Sequence, residues 1–353
     1  MAERAHQATQ AAGASRRDAA PPARPSRASS MRGTYAALDL GTNNCRLLIA
    51  RPAGDGFVVI DAFSRIVRLG EGLAATGRLS DVAMDRALAA LTICSDKLKR
   101  RNVTLVRSVA TEACRRAANG REFVARVLAE TGIQLQIITA EQEARLAVTG
   151  CHALLEPGTG PALVFDIGGG STELVLLDGE SAGAPHVGDW FSAPWGVVSL
   201  SESEPHSGNS EAELRAAYGR MRARVAEAFA PFAATLKARG VADGGRLLGT
   251  SGTVTTLASL HLELPNYDRR AVDGLIVPSG AMRTLSQRLA GMSVAERARL
   301  ACIGSERADL VVAGCAILEG ILDLWPAERL SVADRGIREG ILRTLMAHEF
   351  VKP

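Results

Sequence analysis

Aromatic residues are scarce in this chain. Phe, Tyr and Trp make up only 4% of it, although 47% of its residues are apolar. The apolar content is therefore small and aliphatic, which suits a tightly packed α/β interior and argues against disorder over most of the length. No apolar run reaches the roughly 18–20 residues needed to cross a bilayer. The six cysteines (Cys45, Cys94, Cys114, Cys151, Cys302 and Cys315) are scattered. They form no CxxC pair and have no histidine at ligand spacing. That argues against zinc and fits reduced, mostly buried thiols in a cytoplasmic protein. A basic folded surface is missing too. The chain carries a net charge of +3, but residues 1–32 hold six Arg against Glu3 and Asp18, so residues 33–353 sum to −1. The positive balance belongs to an Ala-, Arg-, Ser- and Pro-rich stretch, expected to be a disordered tail without the apolar region of a secretory signal. Neither a nucleic-acid partner nor a membrane is indicated.

With 353 residues, the chain is long enough for two domains. Its most informative stretch is Leu163-Val-Phe-Asp-Ile-Gly-Gly-Gly-Ser-Thr-Glu-Leu-Val-Leu-Leu177. Apolar run, acidic residue, glycine turn and second apolar run predict a strand–turn–strand hairpin. The glycines allow positive φ or close approach of another group, and N–H groups of such a turn can form an anion nest. Asp166 and Glu173 supply hard oxygen ligands for Mg²⁺. Taken alone, the stretch also fits an ordinary flexible hairpin. A second copy changes the balance: Tyr35-Ala-Ala-Leu-Asp-Leu-Gly-Thr-Asn-Asn-Cys-Arg-Leu-Leu-Ile49 has the same layout, with Asp39 at the position of Asp166 and Gly41 at that of Gly168. Two such hairpins predict two related half-structures that grip a phosphate from both sides.

Three further segments carry chemistry. A strand over 103–109 delivers Ala110-Thr-Glu-Ala-Cys-Arg-Arg116 at its C-terminal end, the usual ligand position in an open α/β sheet. Arg115 there is either a phosphate clamp or a solvated helix-start arginine. Thr139 and Gln142 form a capping box that starts a helix, with Glu141 and Glu143 in its first turn. The helix dipole alone explains both glutamates; the sharper reading makes one of them the base that deprotonates a water. Strand 246–248, the loop Gly249-Thr-Ser-Gly-Thr253 and the helix after it make an anion site by geometry and dipole. It lacks the Lys of a P-loop. Helices are expected over 80–98, 211–239, 293–302 and 308–324. A last one, 337–347, follows Asp334-Arg-Gly336, with Arg335, Arg338 and Glu339 read as a solvated face.

In combination, the segments Ala37–Asn43, Thr111–Arg115, Glu141–Arg145, Phe165–Leu174, Gly249–Thr253 and Asp334–Gly340 closely resemble the exopolyphosphatase/guanosine pentaphosphate phosphohydrolase (Ppx/GppA) family in its short form. They span nearly all of residues 35–345 in family order. The resemblance implies two ribonuclease H-like, actin-like domains, expected at 33–148 and 149–353, around an interdomain cleft. By position, Glu143 matches the family's catalytic glutamate, which activates water against a terminal phosphate. Asp39, Asp166 and Glu173 match Mg²⁺-associated acids. Gly41, Thr42, Asn43, Arg115 and Gly168, Gly169, Gly170, Ser171 and Thr172 match the phosphate cradle, joined by Gly249, Ser251, Gly252 and Thr253. The implied substrate is inorganic polyphosphate, or guanosine pentaphosphate as the alternative, and a homodimer is common among relatives. Two other classes weighed are a small-molecule kinase of the same superfamily and a nucleotide-binding actin-like assembly module.

Overall fold

The structure is a computed structural model that describes residues 33–349 except 55, 180–185, 209, 242 and 243. The basic stretch 1–32 lies outside the described residues. The first half of the chain runs β1 (Tyr35–Leu40), β2 (Asn44–Ala53), β3 (Gly56–Ile66), α1 (Leu73–Thr76), α2 (Asp81–Arg100), β4 (Leu105–Ala110), α3 (Glu112–Arg116), α4 (Gly120–Thr131), β5 (Leu135–Ile137) and α5 (Ala140–Cys151). The second runs β6 (Ala162–Ile167), β7 (Thr172–Leu177), β8 (Val187–Ala193), α6 (Val197–Ser203), α7 (Glu211–Ala238), β9 (Arg246–Thr250), α8 (Gly252–His261), α9 (Arg269–Val272), β10 (Ile276–Pro278), α10 (Ser279–Ala290), α11 (Val294–Ala298), α12 (Val311–Leu324), β11 (Arg329–Ala333) and α13 (Ile337–Glu349).

Two sheets repeat one pattern. The first is ordered β3-β2-β1-β4-β5 and the second β10-β11-β9-β6-β7-β8. In the first, β1, β2 and β3 form an antiparallel meander, and β4 then β5 continue parallel to β1. In the second, β6, β7 and β8 make the meander, β9 and β11 continue in parallel, and β10 adds an antiparallel edge. This is the expected α/β architecture of two ribonuclease H-like halves.

Alternation along the central strands decides where each face packs. From β1, Ala36, Leu38 and Leu40 enter a core with Leu91 and Phe123, while Tyr35 and Ala37 enter another with Leu146, Ile341 and Leu342. From β6, Leu163, Phe165 and Ile167 pack with Tyr218, Leu257 and Ile317, while Ala162 and Val164 meet Ala144, Val148 and Cys151. Each such Leu or Phe side chain contributes about 1.5–3 kcal/mol by burial. Helix α5 therefore serves both sheets, and the expected boundary at 148/149 falls inside it. The last helix, α13, returns to the first sheet and crosses α5 at close range. A Cβ at Gly340 would lie 2.0 Å from the Leu146 carbonyl oxygen, and one at Gly150 2.0 Å from that of Gly336.

Local signals account for several boundaries. Ser80 caps α2, Thr139 and Gln142 close the capping box of α5, and Ser210 with Glu213 does the same for α7. The helix expected over 293–302 ends at Ala298, and the chain then turns through Cys302 and Gly304, both at positive φ. The charged residues at the head of α13 do not form the solvated face expected of them. Glu339 is buried and accepts from Arg269 and from the Gly336 N–H, and Arg335 binds Asp273. Their side-chain partners Arg269 and Asp273 lie 70 and 62 residues away in sequence, on or beside α9. Among the described residues no helix is long and apolar enough to cross a membrane.

Candidate active site

The two hairpins have the same register. Asp39 pairs with Arg46 across β1 and β2, as Asp166 pairs with Glu173 across β6 and β7. Each turn closes with the same bond: the Gly41 N–H donates to Asn44 O and the Gly168 N–H to Ser171 O, both at 2.9 Å. The turns also touch. A Cβ on Gly169 would lie 2.9 Å from Thr42 Cβ and 3.0 Å from the Asn43 nitrogen, and one on Gly170 2.8 Å from Thr42 Oγ1. None of Gly41, Gly168, Gly169 and Gly170 has a positive φ. Of the two reasons for glycine here, close approach is the one that applies.

A cavity of about 120 Å³ lies where the turns meet. Its wall includes Asp39, Gly41, Thr42, Asn43, Glu143, Asp166, Gly168, Gly169, Gly170, Ser171, Ser251, Gly252 and Thr253. The N–H groups of Thr42, Asn43, Gly169 and Gly170 have no backbone acceptor among the described residues. Asp39 Oδ1, Thr42 Oγ1 and Asn43 Oδ1 are buried without a hydrogen-bond partner. Orphaned polar atoms in a buried wall point to a polar occupant. Ser251 caps α8 by accepting from the Val254 N–H at 3.0 Å, so the N-terminus of that helix also opens on the cavity.

Four expected site residues stand off the wall. Arg115 is engaged: it donates to Glu143 Oε2 at 3.0 Å, to the Ile138 carbonyl at 2.9 Å and to Glu112 Oε2 at 2.5 Å. It thereby holds one oxygen of Glu143, while Oε1 has no protein partner among the described residues. Glu173 is buried, and its Oε1 accepts from the Ser171 and Ser192 hydroxyls at 2.7 and 3.0 Å. Thr172 Oγ1 donates to the Trp195 carbonyl, and Gly249 makes room for the Phe165 ring. The wall also contains residues not singled out from sequence, including Arg46, Thr111, Glu112, Thr256 and Arg307. Neither Arg46 nor Arg307 has a carboxylate partner among the described residues. Arg46 was legible in principle, because counting back from the turn places it opposite Asp39. Arg307, an exposed loop arginine, carried no such signal.

The electrostatics are lopsided. Burial, with Glu173 and Asp39 nearby, raises Glu143 well above an ordinary glutamate against the pull of Arg115. Asp166 is pushed up to about 7 by burial and by Glu143 and Asp39, with Arg46 opposing. Glu173 is also pushed up to about 7, by burial and by Asp166. Asp39 is raised by burial against Arg46 and Arg338. Buried carboxylates that raise one another are relieved by a proton or by an added cation. No three His, Cys, Asp or Glu side chains among the described residues converge as an ion-binding group. Asp39 and Asp166 remain as a two-carboxylate set, which suits an Mg²⁺ that keeps waters and takes other ligands from substrate phosphates.

Two ribonuclease H-like halves with facing glycine turns, a helix-head glutamate and an acid pair at one cavity suit a phosphoryl-handling enzyme. The chain belongs to the Ppx/GppA phosphatase family, whose model matches residues 48–349. It is accordingly a phosphoanhydride hydrolase. It is 33% identical over 325 residues to "Exopolyphosphatase 2" of Mycobacterium tuberculosis, covering 88% of this chain and 98% of that one. It is 29% identical over 323 residues to "Guanosine-5'-triphosphate,3'-diphosphate pyrophosphatase" of Aeromonas salmonicida, covering 89% of this chain and 60% of that one. Among solved structures, the Aquifex aeolicus member of the family superposes with a TM-score of 0.71 at 29% identity, covering 91% of this chain and 99% of that one.

Proposed function

We propose that the chain is an exopolyphosphatase that removes the terminal phosphate of inorganic polyphosphate by attack of water, with Glu143 as general base. The observation that carries this reading is the placement of Glu143. Its carboxylate opens on the same cavity as both turns, with Oε2 tied to Arg115 and Oε1 without a protein partner. Water held at Oε1 would attack the terminal phosphorus. The bridging P–O bond breaks, orthophosphate and a chain shorter by one unit leave, and the water proton passes to Glu143. A base raised by burial accepts that proton more readily. The unpaired turn N–H groups and the Arg46 and Arg307 guanidiniums would hold the phosphate oxygens. Asp39 and Asp166 would hold Mg²⁺, which supplies charge neutralisation and orientation of the phosphate oxygens.

Guanosine pentaphosphate is the alternative substrate, in line with the Aeromonas salmonicida relative. We place the enzyme in the cytoplasm, in keeping with six free cysteines. We take it as a homodimer, which sedimentation velocity tests. The substrate question is tested by phosphate release from long polyphosphate, guanosine pentaphosphate and ATP in Mg²⁺. Release is expected to be fastest from polyphosphate. Faster release from guanosine pentaphosphate would transfer the assignment to the alternative, and no release from any of the three would overturn it.

A further inference from the structure

One connection links the two halves at the cavity mouth without touching the cavity itself. After β3 the chain runs beside the first hairpin turn: Val67 and Arg68 both donate their N–H to the Asn43 carbonyl, at 2.8 and 3.0 Å, and the Gly70 N–H donates to Thr42 O at 2.9 Å. Arg68 has φ +47, a left-handed backbone that a side-chain-bearing residue adopts only when its surroundings impose it. From there its guanidinium crosses to the other half. It donates to both oxygens of Asp309, at 2.8 and 3.2 Å, and to the Glu306 carbonyl at 3.3 Å. The turn it grips carries Arg307 on the cavity wall. The same turn is held from within by buried Arg297, whose Nε donates to Ala308 O at 2.8 Å. Beside this link, the Gly72 N–H donates to Glu202 Oε1 at 2.9 Å, a second bond between the halves.

We propose that Arg68 is a positioning residue: its forked pair with Asp309 ties the 306–309 turn to the first hairpin turn, and so sets Arg307 against the terminal phosphate. The two turns that face the substrate from opposite halves then move as one unit. The pair is bidentate, the geometry in which an arginine adds orientation as well as attraction. Both side chains are about one-third exposed, 34% and 38%, so the link is sensitive to salt. The kinetic part of the proposal rests on the phosphatase reading above; the structural part does not.

The test uses the full chain with Arg68→Asn, Asp309→Asn, the double variant and Arg68→Lys. Asn tolerates the left-handed backbone, so Arg68→Asn removes the fork without adding strain. Each single Asn variant is expected to raise KM for polyphosphate on the order of tenfold with kcat nearly unchanged. The double variant should be no worse than the worse single, and Arg68→Lys should recover part of the loss. Hydrogen exchange, measured without substrate, should quicken at residues 305–311 in Arg68→Asn. Additive effects in the double variant, or a KM within about twofold of the parent's in both singles, would overturn the proposal. So would unchanged exchange at 305–311. If the parent releases no phosphate from polyphosphate but exchange quickens as stated, the exopolyphosphatase reading falls and the link stands.

Discussion

The two hairpins share register and turn bond, yet they place opposite charges at the same step. Arg46 on the first sheet and Glu173 on the second occupy equivalent positions opposite Asp39 and Asp166. Arg46 lines the cavity without a carboxylate partner, whereas Glu173 lies off the wall with Oε1 held by two serine hydroxyls. One frame thus yields a cationic wall on one side and a braced, buried acid on the other. The site arises from the difference as much as from the repeat. The repeat supplies two facing turns, and the difference supplies attraction for an anion together with an excess of carboxylates for a cation.

Substitutions at equivalent positions would sharpen or break that comparison. Among these, the largest effect is expected where the turns touch. Gly169→Val would drive side-chain atoms into Thr42 and Asn43 and force the turns apart, lowering kcat/KM about a hundredfold, the usual cost of displacing a positioned group by an ångström. Circular dichroism should show the fold retained. Wild-type kinetics would mean that the contact between turns is not needed.

Next come the two equivalent residues themselves. Arg46→Ala is expected to raise KM on the order of 10–100-fold by removing a charged contact to phosphate. It should also move the acid limb of the pH–rate profile upward, because Arg46 pulls Asp166 down and, with Arg338, Asp39. Glu173→Gln should leave KM unchanged. It keeps an acceptor for Ser171 and Ser192 and removes a buried charge, so stability should rise by about 1 kcal/mol, seen as a higher Tm at neutral pH. Equal kinetic effects of the two substitutions would break the asymmetry.

The smallest effect is on stability against pH. Asp166 and Glu173 have folded pKa values of about 7, above their ordinary values of 3.8 and 4.5. Protonation therefore favours the folded state; that contribution is complete below the ordinary values and is lost as pH rises through about 7. In chelator, Tm should be a few degrees lower at pH 8 than at pH 6, and Mg²⁺ should restore more at pH 8. A flat profile, or no response to Mg²⁺, would count against Asp39 and Asp166 as its ligands.

Much of this was legible in local pattern. Both Asp-x-Gly hairpins, the capping box at Thr139 and the long helix from Glu211 lie where runs and caps put them, because each is decided within about ten residues. The three-residue strand β10 was not marked, being too short to show alternation. Burial of Glu339 and pairing of Arg335 needed partners near α9 that only the tertiary fold supplies. Arg115 shows the same limit. Its position at a strand end was readable, but its engagement by Glu112 and Glu143 depends on how α3 and α5 meet.

The account turns on Glu143. Phosphate release from polyphosphate in Mg²⁺ by Glu143→Gln, with substrate binding measured on the same sample, tests it most directly. The rate should fall on the order of 10²–10⁴-fold while the chain still binds. Turnover at the parent rate would remove Glu143 as the base and contradict the account.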